Sequence, residues 1–140
     1  METVQYLTQF PESGWQSYAV VAQLKWKDPE EFYEKYWTSN PETFPKVNFY
    51  FWRADLLGYL ISKKHATAET IFDLGGWYYT RLWEKYSECI NWRRQWPTQT
   101  LGRDYMKYFE FLAQEMEKVG ESRDANYRDR LEAYRRTLKS

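Results

Sequence analysis

The stretch Val47-Asn48-Phe49-Tyr50-Phe51-Trp52-Arg53-Ala54-Asp55-Leu56-Leu57-Gly58-Tyr59-Leu60-Ile61 decides the fold class. Its large apolar side chains do not alternate with period two, as a half-buried strand requires. They surround most of the circumference of a helix, and a helix apolar on nearly all sides is expected at the centre of a bundle. Arg53 and Asp55 interrupt it. A charge buried there needs a partner, because an isolated buried ion is too costly. Arg53 has two open roles: a structural ion pair with a carboxylate of another helix, or the grip on a ligand anion in a pocket. Arg53 and Asp55 are therefore a possible buried ion pair or anion site.

Outward from this segment, helical spacing recurs on both sides. Toward the N-terminus, Ser13 to Lys27 places Trp15, Tyr18, Ala19, Ala22 and Trp26 on one face. Asp28-Pro29-Glu30-Glu31 reads as a helix start, with Asp28 as N-cap, Pro29 at the first helical position and Glu31 at the capping-box position. Phe32, Tyr33, Tyr36 and Trp37 follow before Ser39-Asn40-Pro41 stops the helix. Toward the C-terminus, Thr67 caps a short helix with Ile71, Phe72 and Leu74, and Gly75-Gly76 breaks it. A longer helix to about Trp96 carries Tyr79, Leu82, Trp83, Tyr86 and Ile90 at the spacing of an amphipathic helix. Asp104 to Val119 repeats that spacing through Tyr105, Tyr108, Phe109, Leu112, Met116 and Val119, with Gly120 as its stop. Ser122 is expected to cap a basic amphipathic C-terminal helix over 122–140. Pro11, Pro29, Pro41, Pro45 and Pro97 all fall near these boundaries, as helices demand. The reading is all-α: residues 1–140 as a single-domain helical bundle of about five to seven helices.

One run of motifs carries a resemblance. Phe51 to Ile61 is followed by a Lys-Lys-His turn, then Thr67-Ala68-Glu69-Thr70-Ile71-Phe72-Asp73-Leu74, Leu82-Trp83-Glu84-Lys85, Arg93 and Tyr108-Phe109-Glu110-Phe111-Leu112-Ala113. This order is similar to a family of small bacterial helical proteins described as a domain of unknown function, number 4760. It covers about half the chain, Val47 to Ala113. The resemblance implies a helical fold and carries over no catalytic residue. Many members of that family place a membrane helix ahead of this region; here a soluble helical segment stands in that place. The basic final helix is not a feature of the family.

Composition narrows the function classes. The 140 residues include eight Trp, thirteen Tyr and eight Phe, 21% aromatic in all, enough to dominate the core. Charged residues make up 29%, so the surface is well solvated and the balance is globular. Twenty Lys and Arg meet twenty Asp and Glu, so the overall basic excess of a nucleic-acid-coating protein is missing. Cys89 is the one cysteine, which points to a reducing compartment, and Met1 to Gln5 lack the build of a signal peptide. The expected location is cytoplasmic, with no membrane insertion.

Catalytic constellations are hard to assemble. His65 is the lone histidine; with Glu69 it gives two ligands at most, so no metal site is expected, and it reads as a surface turn residue. Helical ribonucleases carry Arg four to six residues before His on one helix, and here twelve residues and Gly58 separate Arg53 from His65. Cys89 lacks a neighbouring base, and Gly75-Gly76 belongs to no phosphate-loop pattern. Glu30, Glu31, Glu34, Glu84 and Glu88 sit at spacings suited to solvated faces shared with lysines. The chain is expected to be no enzyme and to need no cofactor.

Binding character concentrates in two places. In Asn91-Trp92-Arg93-Arg94-Gln95-Trp96, two tryptophans one turn apart flank two arginines, a composition that marks interface hot spots; the other reading is packing against the N-terminal helix, with the arginines favoured at a helix C-terminus. In the last helix Tyr127, Leu131, Tyr134 and Leu138 form a thin stripe, whose default role is docking onto its own bundle and whose alternative is a partner helix or an acidic surface. The expected contact residues are Trp92, Arg93, Arg94, Trp96, Tyr127, Leu131, Tyr134 and Leu138. They point to a helical protein-interaction or regulatory domain that binds a protein partner or itself. The alternative is a nucleic-acid-binding protein using the same Arg/Trp segment and basic helix.

Overall fold

The computed structural model describes residues 12–38 and 40–139, with side chains from Ser17 onward. The expectations placed on Pro11, on the Trp15 side chain and on Ser39 lie outside the described residues. Among those described, seven α-helices and no strand occur. They are α1 (Glu12–Gln23), α2 (Pro29–Phe32), α3 (Phe44–Ser62), α4 (Ala68–Asp73), α5 (Tyr79–Arg94), α6 (Lys107–Arg123) and α7 (Tyr127–Leu138). None is long and apolar enough to cross a membrane.

Local chemistry sets the boundaries. Asp28 Oδ1 accepts the Glu31 amide at 2.9 Å, with Pro29 inside the first turn. Glu31 reaches back to the Lys27 amide at 3.3 Å, one residue ahead of the cap. Beyond Phe32 the chain widens into a π-helical stretch, Tyr33–Thr38, where Thr38 Oγ1 donates to the Tyr33 carbonyl. That widening sets Tyr33, Tyr36 and Trp37 around Phe32, with ring centroids 5.0, 6.1 and 6.3 Å away. Asn40 Oδ1 accepts the amides of Glu42 and Thr43 and turns the chain into α3. Thr67 caps α4 through the Thr70 amide, and Gly75, at φ 106°, supplies the left-handed break after it.

The strongest packing joins α3 to α6, and Gly58 is its contact point. A Cβ at Gly58 would sit 1.9 Å from the Tyr108 carbonyl oxygen, so the two backbones meet where a side chain is missing. The core that this packing belongs to holds Tyr50, Phe51, Tyr79, Tyr86, Phe32 and Phe109, all sealed from solvent. Phe51 is a hub, its ring centroid 5.3 Å from Tyr86, 5.8 Å from Phe109 and 5.9 Å from Trp37. These edge-to-face and tilted pairs add about 0.5–1.5 kcal/mol each beyond area burial.

Four expectations change. α1 ends at Gln23 rather than Lys27, and Trp26 packs from the following loop onto Phe32 and Tyr86. Gly120 does not stop α6; it lies inside the helix and makes room for the Tyr127 ring, which a Cβ would approach to 2.4 Å. Ser122 is likewise within α6, its hydroxyl donating to the Val119 carbonyl, and the last helix starts at Tyr127 instead. Finally, α3 is not enclosed on all sides: Phe49, Trp52 and Tyr59 remain exposed.

Candidate interaction surface

The Arg/Trp segment at the end of α5 spends most of its chemistry inside the protein. Trp92 stacks on Tyr33 at 5.5 Å, and Trp96 meets both Tyr33 (5.0 Å) and Trp92 (5.2 Å). The Arg93 guanidinium lies 4.6 Å from the Trp37 ring centre, with Trp96, Tyr105 and Tyr33 at 5.2, 5.2 and 5.5 Å. Its Nε and Nη1 are buried without a hydrogen-bond acceptor, so aromatic faces do much of the work of holding the charge. Arg94 donates from Nε to the Tyr105 carbonyl (2.8 Å) and from Nη1 to Glu110 (3.1 Å) and Asn91 (2.9 Å). Charge reversal at Arg93 would therefore test folding before it tested binding.

The α7 residues dock this helix on its own bundle. Leu131 is buried, Tyr127 fills the hollow over Gly120, and the Tyr134 ring lies 5.2 Å from the Arg81 guanidinium. Leu138 stays partly exposed at the end. Much of the basic charge is neutralised. Arg128 pairs with Glu121, Arg130 with Asp124, and Arg135 with Glu84 (2.7 Å), Glu117 (3.6 Å) and Glu132. Arg136 and Lys139 have no ion pair among the described residues.

Arg53 and Asp55 face opposite ways. Two residues apart on a helix, their side chains diverge. Arg53 is 4% exposed and sits by the Phe49 ring, close enough to Tyr50, Tyr78 and Tyr79 to act on their titration. Asp55 instead caps a different helix: Oδ1 accepts the Tyr108 amide at 3.0 Å and the Phe109 amide at 3.1 Å. Met106, the residue at the N-cap position of α6, has no side-chain acceptor and a left-handed φ of 58°, so α3 supplies the cap across the interface.

Asp55→Ala is expected to cost about 1–3 kcal/mol by stranding two helix N–H groups, read as a lower urea midpoint at unchanged slope. Burial raises the Asp55 pKa more than the Phe109 and Tyr108 amides, Lys107 and Arg94 lower it. A pKa raised in the folded state means the contribution is full at low pH and is lost as pH rises through that raised value. Asp55→Asn keeps an acceptor oxygen without the charge, so it should hold stability at neutral pH and flatten the acid side of the profile.

The buried thiol and the buried phenols stay neutral. Burial pushes the Cys89 thiol up to about 12, with Glu88 adding to the shift, which leaves almost no thiolate at neutral pH. Tyr50 and Tyr105 are each held at about 12 and Tyr79 higher, in every case by burial first. His65 lies exposed in the turn after α3.

The surface that sequence reasoning missed is the outer face of α3. Phe49, Trp52 and Tyr59 are 49%, 56% and 40% exposed, and Leu56 lies between them, half-buried. At 100° per residue these four fall within about an 80° arc, opposite the inward face of Val47, Tyr50, Phe51, Ala54 and Leu57. The 3-4-3 spacing of 49, 52, 56 and 59 was visible in the sequence, but an all-round apolar helix also reads as a buried one. No family model, no curated protein and no solved structure matches this chain.

Proposed function

We propose that the chain is a non-enzymatic helical interaction domain that self-associates through the outer face of α3. The observation that carries this is the half-exposure of Phe49, Trp52 and Tyr59 in one aromatic stripe, with the Lys63 ammonium over the Tyr59 ring at its end. Isolated exposed apolar residues are ordinary, whereas a contiguous aromatic stripe marks a docking face.

A second copy is the occupant the stripe fits best. Its spacing of three, four and three residues reads the same in both directions. Two copies of α3 crossed antiparallel about Ala54 set Phe49 against Tyr59 and Trp52 against Leu56, twice over. That is the self-complementarity a two-fold interface requires. Lys63, the one charge in line with the stripe, then falls beside Pro45 of the other copy; a parallel pairing would bring two Lys63 side chains together. A reducing, cytoplasmic setting suits the single buried thiol.

Area limits the strength. Three rings about half exposed offer on the order of 300 Å² per copy, well under the ~800 Å² per partner of a standard interface. The dimer should therefore dissociate in the micromolar range or more weakly. Sedimentation equilibrium over a hundredfold concentration range tests this. The wild type should pass from monomer to dimer, and Trp52→Ala should weaken the dimer by about 30-fold, the effect of losing a hot-spot aromatic. Trp52→Glu should stay monomeric throughout. A wild type that is monomeric at every concentration, or a Trp52→Glu variant that associates equally well, refutes the reading.

A further inference from the structure

A second feature lies on another side of the molecule. Between the end of α1 with its following loop, the middle of α5 and the C-terminal half of α7 runs a cleft of about 750 Å³. That volume is within the ~300–1,000 Å³ of small-molecule sites. Its walls carry six cations, Lys25, Lys27, Lys85, Arg135, Arg136 and Lys139, against three carboxylates, Glu84, Glu88 and Glu132. The chain as a whole has no net charge, so this excess of three is local.

The pairing pattern sharpens that excess. Arg135 engages two of the three carboxylates, Glu84 at 2.7 Å and Glu132. The other five cations have no ion pair among the described residues, and only Glu88 is left to oppose them. Lys85 is half-buried, with its ammonium 5.0 Å over the Trp26 ring. Burial lowers its pKa, and the charge of Lys25, another cation of the cleft wall, lowers it further. Like charges held together in a partly desolvated cleft are a standing cost that an anion would relieve.

The geometry points to this cleft as a binding site for a compact polyanion, a small molecule bearing two or more phosphate or carboxylate groups, held by Lys25, Lys85 and Arg136. A nucleic-acid strand fits less well. Stacking on Trp26 would need a free indole face, and that ring is taken up by Lys85 on one hand and by Phe32 (4.8 Å) and Tyr86 (5.1 Å) on the other. The site is distinct from the α3 stripe and does not depend on self-association.

Titration calorimetry at low salt, with inorganic tripolyphosphate and citrate as separate probes and a twelve-nucleotide single-stranded DNA as the third, tests the assignment. Saturable one-to-one binding of tripolyphosphate or citrate is expected, and the tighter of the two identifies the anionic group. Lys25→Gln with Arg136→Gln, both exposed positions, should weaken it by about tenfold or more, the loss of a charge-assisted contact. Lys85→Gln should do the same with an unchanged circular dichroism spectrum; if that variant does not fold, the exposed pair decides. The assignment is overturned if neither small probe binds, if binding ignores the Lys25 and Arg136 substitutions, or if the DNA binds more tightly than both.

Discussion

Gly58→Ala is expected to destabilise the protein by about 3 kcal/mol or more, at the upper end of the overpacking range. The sign is the informative part. Within a helix, replacing glycine by alanine ordinarily stabilises by about 1 kcal/mol through propensity alone. At this position the added Cβ would lie 1.9 Å from the Tyr108 carbonyl oxygen and 2.7 Å from its carbonyl carbon. Both are backbone atoms that no rotamer change can move, so α3 and α6 must separate along their whole contact. Gly102→Ala is the matched control: its φ is 55° but nothing lies within 4 Å of the new Cβ, and the cost should stay near 1–2 kcal/mol. Urea denaturation of the two variants should rank them in that order. Equal midpoints would mean that the close approach of the two helices is wrong.

Phe51→Ala should cost about 3–5 kcal/mol, a large share of the ~5–15 kcal/mol that holds a domain together. Phe51 is 1% exposed and its ring touches Trp37, Tyr86 and Phe109, which belong to the π-helical stretch, α5 and α6. Removing it leaves a cavity where three segments meet. The adjacent residue gives the contrast. Trp52 is larger but 56% exposed, so Trp52→Ala should shift stability by no more than about 0.5 kcal/mol while it weakens association. Neighbouring aromatics on one helix thus separate folding from docking, read by thermal melts on one side and sedimentation on the other. Comparable destabilisation by both would place Trp52 in the core and remove the stripe.

The sequence was most legible where a local rule has a single outcome. Asp28-Pro29 and Thr67 announced their caps, and the stripes of Tyr79, Leu82, Tyr86 and Ile90 and of Phe109, Leu112 and Met116 announced the buried faces of α5 and α6. It was least legible where one residue type serves two ends. Glycine stops helices and also permits close packing, so Gly120 read as a terminus although Tyr127 occupies its empty side. Tryptophan and arginine mark interfaces and also build cation–aromatic clusters, so the spacing of Trp92, Arg93 and Trp96 left both readings open; in the fold Trp96 joins Trp37 and Tyr105 around the Arg93 guanidinium, and Trp92 stacks on Tyr33. Asp55 acts across fifty-three positions on the Tyr108 amide, and no spacing rule reaches that far. The basic cleft escaped for the same reason, since Lys25, Lys85 and Arg136 meet only through the fold.

Self-association through α3 has one direct test, a disulfide trap between chains carrying Phe49→Cys and chains carrying Tyr59→Cys, mixed under mild oxidation. Cys89 is buried and stays out of the exchange. In an antiparallel pair centred on Ala54 the two new cysteines face each other. Like positions lie about 15 Å apart along the axis, beyond the ~7 Å that a disulfide spans. Cross-linked heterodimers and almost no homodimers are expected. Homodimers of the Phe49→Cys chain, or no cross-link at concentrations where the wild type should pair, would contradict the antiparallel pairing.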